Sequence, residues 1–320
     1  MESLPTSAGV EDMKQQVKIG FIGLGAMGFG MAASLCRAGF AVTGHDVRRE
    51  AMDRLVDRGG AMAASPAEAA QGAQLLFVMV VNDAQVEAVL FGEHDAAAAL
   101  PAGATVVLSS TVPAGFVRDL GARLGERGLH LLDAPVSGGA VAAEKGELTI
   151  MASGAREAFA AADPALEACA RTVYRLGDAP GIGSSVKAVN QLLAGVNLVT
   201  AAEGMAFGAA LGADPKVLYE VIRNAAGGSW MFDNRVPHML DDDFTPRSAC
   251  DIWVKDLGMV LGIGRDLRMP LPMAAAAFQV VMMAAAKGLG PIDDAGFVKV
   301  YESFTGTCIA GAKQDESEGT

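Results

Sequence analysis

Residues 17–28 read "VKIGFIGLGAMG", a short apolar run that leads straight into three glycines spaced as G-x-G-x-x-G. In a strand–turn–helix unit the first glycine allows a tight turn, the second lets the backbone approach a pyrophosphate, and the third lets helix and strand pack closely. The phosphates then lie against free N–H groups at the start of the helix. Methyltransferases share the glycine spacing, but the preceding strand pattern favours a Rossmann-type dinucleotide site. The predicted loop contacts are Gly23, Leu24, Gly25, Ala26, Met27 and Gly28.

An acidic residue closes the next predicted strand, "AVTGHD" at 41–46. At this position the Asp46 carboxylate can accept hydrogen bonds from the ribose hydroxyls of adenosine, and it repels a 2′-phosphate. NAD is therefore the expected cofactor rather than NADP. Arg48 and Arg49 follow closely and could instead hold that phosphate, although a solvated helix start also explains two such arginines.

Strand and helix patterns alternate until about residue 177, and after "GDAPGIG" at 177–183 every pattern is helical, ending with a helix over 293–304. Alternation predicts one doubly wound, mostly parallel sheet with helices on both faces. The expected fold class is thus α/β, a Rossmann-type sheet followed by a long connecting helix and an all-α domain. The expected segments are a disordered tail (1–16), an NAD-binding Rossmann domain (17–180), an interdomain helix (181–212), an all-α C-terminal domain (213–312) and a second tail (313–320).

Composition restricts the partners. The net charge of −12 disfavours nucleic acid and anionic membrane surfaces, because both select basic patches. A small anionic substrate remains compatible, because its pocket needs only a few local cations. The four cysteines and four histidines are scattered without metal-ligand spacing. This pattern predicts no metal site, and buried, reduced thiols in a cytoplasmic protein.

The longest apolar run, from about 192 to 213, is long enough to span a membrane, but Glu203 interrupts it. An acid in mid-segment disfavours a membrane span and favours a helix buried within protein. A helix so rich in apolar, alanine and glycine residues is hard to cover within one subunit. We therefore expect a homodimer or homotetramer that buries it.

Two further motifs suit a small hydroxy acid. In "DAPVSGG", 133–139, the Ser137 hydroxyl and the N–H groups of Gly138 and Gly139 could bind a carboxylate, although an ordinary glycine turn would have the same composition. In "GSSVKAVNQ", 183–191, Lys187, Asn190 and Gln191 fall on one face of a helix. Buried polar groups are costly unless they are paired, so these side chains either meet a polar ligand or reach solvent, as a lysine at a helix end and a locally capping asparagine can.

Together these pieces resemble the β-hydroxyacid dehydrogenase family, relatives of 3-hydroxyisobutyrate and 6-phosphogluconate dehydrogenases. The matching segments are "GFIGLGAMGFGMAASLCRAG", "SSTVP", "DAPVSGG", "GSSVKAVNQ" and "WVKDL", in family order. The resemblance implies that Lys187 is the catalytic acid/base and that Asn190 orients the substrate. A lysine with an ordinary pKa of about 10.4 is a poor base at neutral pH, so its surroundings must lower that pKa. The implied cofactor contacts beyond the glycine loop are Val81, Asn82, Thr111 and Lys255.

Within the family, "KAVNQLLAGVN", "AAGGSWMFDNR" and "DIWVKDLG" are most similar to the branch that oxidises L-threonate, a sugar acid of carbohydrate metabolism. The sequence departs from the family pattern at Gly30, where many members have proline, and at Gln191, which replaces the second asparagine of K-x-x-N-N. Oxidation of 3-hydroxyisobutyrate and reduction of tartronate semialdehyde remain alternatives. A non-catalytic dinucleotide sensor is a more distant one, because it would not need Lys187 or the Ser-Gly-Gly loop.

Overall fold

The computed structural model describes residues 17–310. Its amino-terminal part is built on a six-stranded sheet with the order β3-β2-β1-β4-β5-β6, in which every neighbouring pair is parallel. Because β1 lies between β2 and β4, the strand order reverses there, and ligands of such sheets bind beyond the carboxyl ends of the strands at this reversal. The strands are β1 (Lys18–Ile22), β2 (Ala41–His45), β3 (Ala61–Met62), β4 (Leu75–Val78), β5 (Thr105–Leu108) and β6 (His130–Asp133).

Helices cover both faces of this sheet. Alternate residues of a strand point to opposite faces, and so Phe77 packs in one apolar cluster while Leu76 and Val78 pack in another. Phe21 of β1 stacks on Phe77 with ring centroids 5.5 Å apart. The helices of this part are α1 (Ala26–Arg37), α2 (Arg49–Val56), α3 (Pro66–Ala70), α4 (Asp83–Phe91), α5 (Ala96–Ala99), α6 (Ala114–Glu126), α7 (Gly139–Lys145) and α8 (Arg156–Cys169).

A second, three-stranded sheet replaces the expected continuation of the first. It consists of β7 (Val136–Ser137), β8 (Leu148–Ala152) and β9 (Ala170–Arg175), with β7 antiparallel and β9 parallel to β8. Pro135, which has no N–H to donate to a ladder, separates β6 from β7, and the chain changes sheets there. The prediction of a Rossmann-type α/β domain is confirmed, but the single continuous sheet is wrong.

The carboxy-terminal part is helical, as predicted. The helix over residues 230–240 contains Pro237. One difference appears. The predicted helix over 293–304 is divided into a 3₁₀ turn and an α-helix. The elements are α9 (Ile182–Ala210), α10 (Pro215–Arg223), α11 (Trp230–Leu240), α12 (Asp251–Asp266), α13 (Pro272–Ala286), the 3₁₀ turn (Asp294–Phe297) and α14 (Val298–Thr305).

The chain forms two compact units that divide between Lys187 and Ala188, inside α9. The predicted tails at 1–16 and 313–320 lie outside the described residues. On length and composition α9 could cross a membrane, with a window of mean hydropathy 1.4. The core helix of a water-soluble protein has the same properties, and 44% of that window is buried within the protein. Glu203 of α9 accepts a hydrogen bond of 2.9 Å from Tyr301.

The four cysteines are free thiols. Cys169 and Cys250 are buried as predicted, and burial raises the pKa of each thiol to about 12. Cys36 is half-buried and Cys308 is exposed, so the prediction of buried thiols is wrong for Cys308. Within residues 17–310 no three His, Cys, Asp or Glu side chains are grouped closely enough to hold a metal ion.

A buried carboxylate anchors the start of α9. Asp133, fully buried at the end of β6, accepts hydrogen bonds from the N–H groups of Gly181 (2.9 Å) and Ser184 (2.8 Å). It also accepts from the hydroxyls of Ser184 (2.7 Å) and Ser153 (3.2 Å). The first N–H groups of a helix have no partner within the helix. A carboxylate from a strand therefore does the work of an N-cap here. Gly183 is required beside it, because a Cβ there would lie 2.3 Å from the Met151 carbonyl oxygen.

Replacing Asp133 with alanine should destabilise the protein by about 3–5 kcal/mol, because several buried donors lose their acceptor together. The measurement is the free energy of unfolding in urea. Asp163→Ala is the matched control, since it breaks an exposed ion pair with Arg175 and should cost about 1 kcal/mol or less. Equal effects of the two substitutions would show that the Asp133 contacts do not anchor α9.

Candidate active site

The glycine loop between β1 and α1 has the shape that a dinucleotide needs. Gly23 has φ +94°, and a Cβ there would lie 2.3 Å from the Met79 carbonyl oxygen. A Cβ on Gly28 would lie 2.0 Å from the Gly23 carbonyl oxygen, whereas one on Gly25 meets nothing within 4 Å. Gly23 and Gly28 are thus required by the fold. Gly25 leaves open space where a pyrophosphate could approach the backbone, so the loop fits the predicted cofactor.

Asp46 is tied to this loop. Its Oδ2 accepts a hydrogen bond of 2.7 Å from the Leu24 N–H, and its Oδ1 accepts from the N–H (2.9 Å) and Nε (3.2 Å) of Arg48. Burial raises the pKa of Asp46, but these hydrogen bonds outweigh that effect and hold it below its usual value. Arg49 pairs instead with Asp53 on the surface. Of the two arginines, Arg48 is therefore the one beside the predicted ribose site.

The carboxyl ends of β4 and β5 continue this edge of the sheet. The Val80 N–H donates to the Ser110 hydroxyl over 2.9 Å, which joins the two strand ends. Val81 is half-exposed, and the Asn82 side chain caps α4 by accepting from the Gln85 N–H over 2.8 Å. Thr111, three residues after the end of β5, is partly buried. Cofactor contacts of these residues stay predictions.

The Ser-Gly-Gly loop joins β7 to α7, with Ser137 at the end of β7 and Gly139 at the start of α7. Gly138 and Gly139 have φ of +131° and +77°, a backbone that favours glycine, and a Cβ on Gly139 meets nothing within 4 Å. The loop is held by the packing of α7 on α1: a Cβ on Gly30 would lie 2.7 Å from the Glu144 nitrogen. Ser34 of α1 donates to the Ala143 carbonyl oxygen over 3.0 Å. Gly30, where family members often carry proline, is therefore the close contact between the two helices.

Lys187 lies in α9 only three residues after Ser184, which donates two hydrogen bonds to Asp133. Only 7% of Lys187 is exposed. Asp133 also stands four residues before Ser137 in the chain, so one carboxylate fixes both the start of the Lys187 helix and the strand that leads to the Ser-Gly-Gly loop. Burial raises the pKa of Asp133, against the lowering effect of its hydrogen bonds from Ser184 and Gly181.

The carboxy-terminal unit brings together Asn190, Gln191 and Lys255, through a residue that sequence analysis missed. Asn190 Nδ2 donates to Gln191 Oε1 over 2.9 Å, and Gln191 Nε2 donates to Asp256 Oδ2 over 2.5 Å. The other oxygen of Asp256 lies 2.7 Å from Lys255 Nζ. Gln191 thus has both ends of its carboxamide bonded within the protein, which the prediction of a direct substrate contact had not included.

Asp133 and Asp256 are the organising residues that the sequence did not reveal. Their partners lie 51 and 65 residues away in the chain, and no local spacing indicates such pairs. Asp133 stands at the start of the quoted "DAPVSGG" and Asp256 inside "WVKDL". The available signal was that each acid stands in a motif whose other residues are predicted to contact substrate or cofactor. On α11, Trp230 is 56% exposed, and Phe232 is buried and stacks on Tyr219.

Both parts of the chain are similar to known dehydrogenases. Residues 18–177 match the NAD binding domain of 6-phosphogluconate dehydrogenase, and residues 181–301 match the NAD-binding domain of NADP-dependent 3-hydroxyisobutyrate dehydrogenase. The chain is 55% identical over 283 residues to L-threonate dehydrogenase of Cupriavidus necator, covering 88% of this chain and 95% of that protein. It is 45% identical to L-threonate dehydrogenase of Escherichia coli K12, covering 92% and 97%.

Among solved structures, 3-hydroxyisobutyrate dehydrogenase from Salmonella typhimurium superimposes with a TM-score of 0.84 at 45% identity, covering 89% of this chain and all of that one. Both domain types, the Rossmann sheet and the helical part are therefore shared with these dehydrogenases. The protein is an oxidoreductase that binds NAD and acts on small hydroxy acids. The chain belongs to the 3-hydroxyisobutyrate dehydrogenase-like family of β-hydroxyacid dehydrogenases.

Proposed function

We propose that the protein oxidises L-threonate at C2 to the corresponding 2-oxo acid, with NAD as the electron acceptor. The observation that carries the proposal is the pair of polar side chains Lys187 and Asn190 on one face of an apolar helix, of which Lys187 is only 7% exposed. Such side chains suit a ligand rich in hydroxyls. The chain's relatives named L-threonate dehydrogenase supply the identity of that ligand.

In this mechanism NAD, when bound, supplies the acceptor for the hydride that leaves the hydroxyl-bearing carbon. Lys187 takes the hydroxyl proton while the C–O single bond becomes a carbonyl, so that the carbon loses one hydride and the oxygen one proton. Ser137, Gly138 and Gly139 hold the carboxylate with one hydroxyl and two N–H groups. Asn190, one helical turn after Lys187 on the same face, orients the hydroxyl that reacts.

The polar surroundings of Asn190 support a polyhydroxy acid. Each hydroxyl of threonate must find a hydrogen-bond partner once water is excluded, whereas the methyl group of 3-hydroxyisobutyrate needs an apolar wall. The second candidate is 3-hydroxyisobutyrate oxidation, favoured by the name of the Salmonella typhimurium protein.

Three broader expectations accompany the activity. A polyhydroxy acid substrate places the enzyme in carbohydrate metabolism. A cytoplasmic location fits a supply of NAD and free thiols. Self-association through α9 as a homodimer or homotetramer fits an exposed apolar row on that helix, formed by Val189 (59% exposed), Leu193 (55%) and Phe207 (63%).

L-threonate should exceed 3-hydroxyisobutyrate in kcat/KM by more than about tenfold, because a site built to bond hydroxyls rejects analogues that lack them. The assay follows NADH formation over a panel of C3–C6 sugar acids and hydroxy acids. Faster oxidation of 3-hydroxyisobutyrate, or faster reduction of tartronate semialdehyde, would contradict the substrate and leave the family reaction in place.

Lys187→Ala should lower kcat by roughly 100- to 10,000-fold, since general acid–base groups contribute that much. NAD binding, measured by fluorescence titration, should persist. Lys216→Ala, which removes an exposed lysine from α10, is the control and should leave kcat unchanged. A Lys187→Ala enzyme within about threefold of wild type would remove Lys187 from the proton-transfer step, because a general acid–base group supplies far more than that.

Asp46→Asn should reduce the preference for NAD over NADP by about tenfold or more, because it removes the charge that repels a 2′-phosphate. The asparagine oxygen can still accept from the Leu24 N–H, so the loop anchor survives. Asp46→Ala loses the anchor as well and should raise KM for both cofactors. The ratio of kcat/KM values for NAD and NADP is the measurement. A wild-type enzyme that prefers NADP would instead make Arg48 the deciding residue.

A further inference from the structure

A row of polar contacts in the carboxy-terminal unit joins Asn190, which the proposed mechanism uses, to Asp256, which it does not use. It runs from Asn190 to Gln191 (2.9 Å), from Gln191 to Asp256 (2.5 Å) and from Asp256 to Lys255 (2.7 Å). Asp256 is 3% exposed and Gln191 is 7% exposed. A buried carboxylate is thus shared between a carboxamide and an ammonium group.

The charge of Asp256 sets the direction of this row. An ionised carboxylate can only accept hydrogen bonds, so Gln191 must turn its NH₂ group toward Asp256 and its carbonyl oxygen toward Asn190. Asn190 must then turn its own NH₂ group toward Gln191. The oxygen of the Asn190 carboxamide is left for a donor from outside the row. The hydroxyl of a hydroxy acid is such a donor.

We propose that Asp256 is a positioning residue which, through Gln191, fixes the Asn190 carboxamide with its oxygen available to the substrate hydroxyl. Its second oxygen holds the ammonium group of Lys255. Gln191 is the residue of this chain that spans α9 to α12, and an asparagine in its place is one methylene shorter. The inference rests on the proposed oxidation of a hydroxy acid.

Moving the negative charge from Asp256 to position 191 tests whether the carboxylate orients the Gln191 and Asn190 side-chain amides. Asp256→Asn keeps the size of the side chain but allows the side-chain amides of Gln191 and Asn190 to rotate by half a turn. Gln191→Glu puts two carboxylates within hydrogen-bond distance of each other. Each should lower kcat/KM for the acid by roughly tenfold to 100-fold, as expected for a hydrogen bond to a charged group. In the double variant, a carboxylate at 191 again accepts from Asn190 and also from the new asparagine. Asn190 regains its orientation.

The double variant should therefore exceed Gln191→Glu in kcat/KM by about tenfold and match or exceed Asp256→Asn. The loss should lie in kcat and in KM for the acid, with KM for NAD in Gln191→Glu changed much less. Additive losses in the double variant would overturn the inference. If Gln191→Glu does not fold, Gln191→Asn decides: a folded variant with wild-type kcat/KM overturns the inference, and a loss of about tenfold supports it.

The control is Glu203→Gln, which neutralises an exposed carboxylate on the same helix α9. Its glutamine oxygen can still accept from Tyr301, and kcat/KM should stay within about twofold of wild type, as for most surface substitutions. A wild-type enzyme that forms NADH with no acid of the panel would overturn the proposed function itself. If the wild type is active but the losses of kcat/KM in the single variants add up in the double variant, only the role of Asp256 is overturned.

Discussion

The buried carboxylate of Asp133 is the contact on which the amino-terminal half of the site depends. A helix of 29 residues begins at Ile182, and its first N–H groups need acceptors in a place that water does not reach. Asp133 supplies them from the end of a strand, and the same strand end leads into Ser137 and the two glycines. The position of Lys187 relative to the Ser-Gly-Gly loop is therefore set by a covalent path of a few residues and a few hydrogen bonds. Neither needs a bound ligand to form.

Close backbone packing fixes α1, the helix that follows the glycine loop. Gly23, Gly28 and Gly30 each stand where a Cβ would lie 2.0–2.7 Å from backbone atoms, so α1 is pressed against β1 on one side and against α7 on the other. Because α7 follows the Ser-Gly-Gly loop, the helix predicted to receive the cofactor phosphates also supports the loop proposed for the substrate carboxylate. In this proposal one rigid helix serves two ligands. Interiors packed in this way transmit displacements with little slack.

The sequence predicted those features whose cause is local. The turn at Gly23, the helix that follows, and the shared face of Lys187, Asn190 and Gln191 depend on a few neighbouring residues, and all were readable. Asp133, Asp256 and the second sheet were not, because each depends on partners that only the folded chain brings close. Gln191 shows the limit most clearly: its spacing placed it correctly on the helix face. Its bond to a residue 65 positions away decides what its carboxamide can do there.

An acidic protein that acts on an anionic substrate needs its buried carboxylates to be hydrogen-bonded or paired within the protein, and three buried acids meet that condition. Asp46 bonds Arg48 and the glycine loop, Asp133 bonds helix and strand donors, and Asp256 bonds Gln191 and Lys255. Each negative charge is directed at protein donors within hydrogen-bond distance, where the interaction is strong. The field left for a ligand is weak, because opposite charges and dipoles lie beside each acid. The net charge of −12 remains compatible with a small anionic substrate, because a pocket needs only a few local cations. The buried acids do fix the orientation of their neighbours, because an ionised carboxylate accepts hydrogen bonds and cannot donate them. Every amide bonded to it must therefore turn its N–H group toward it.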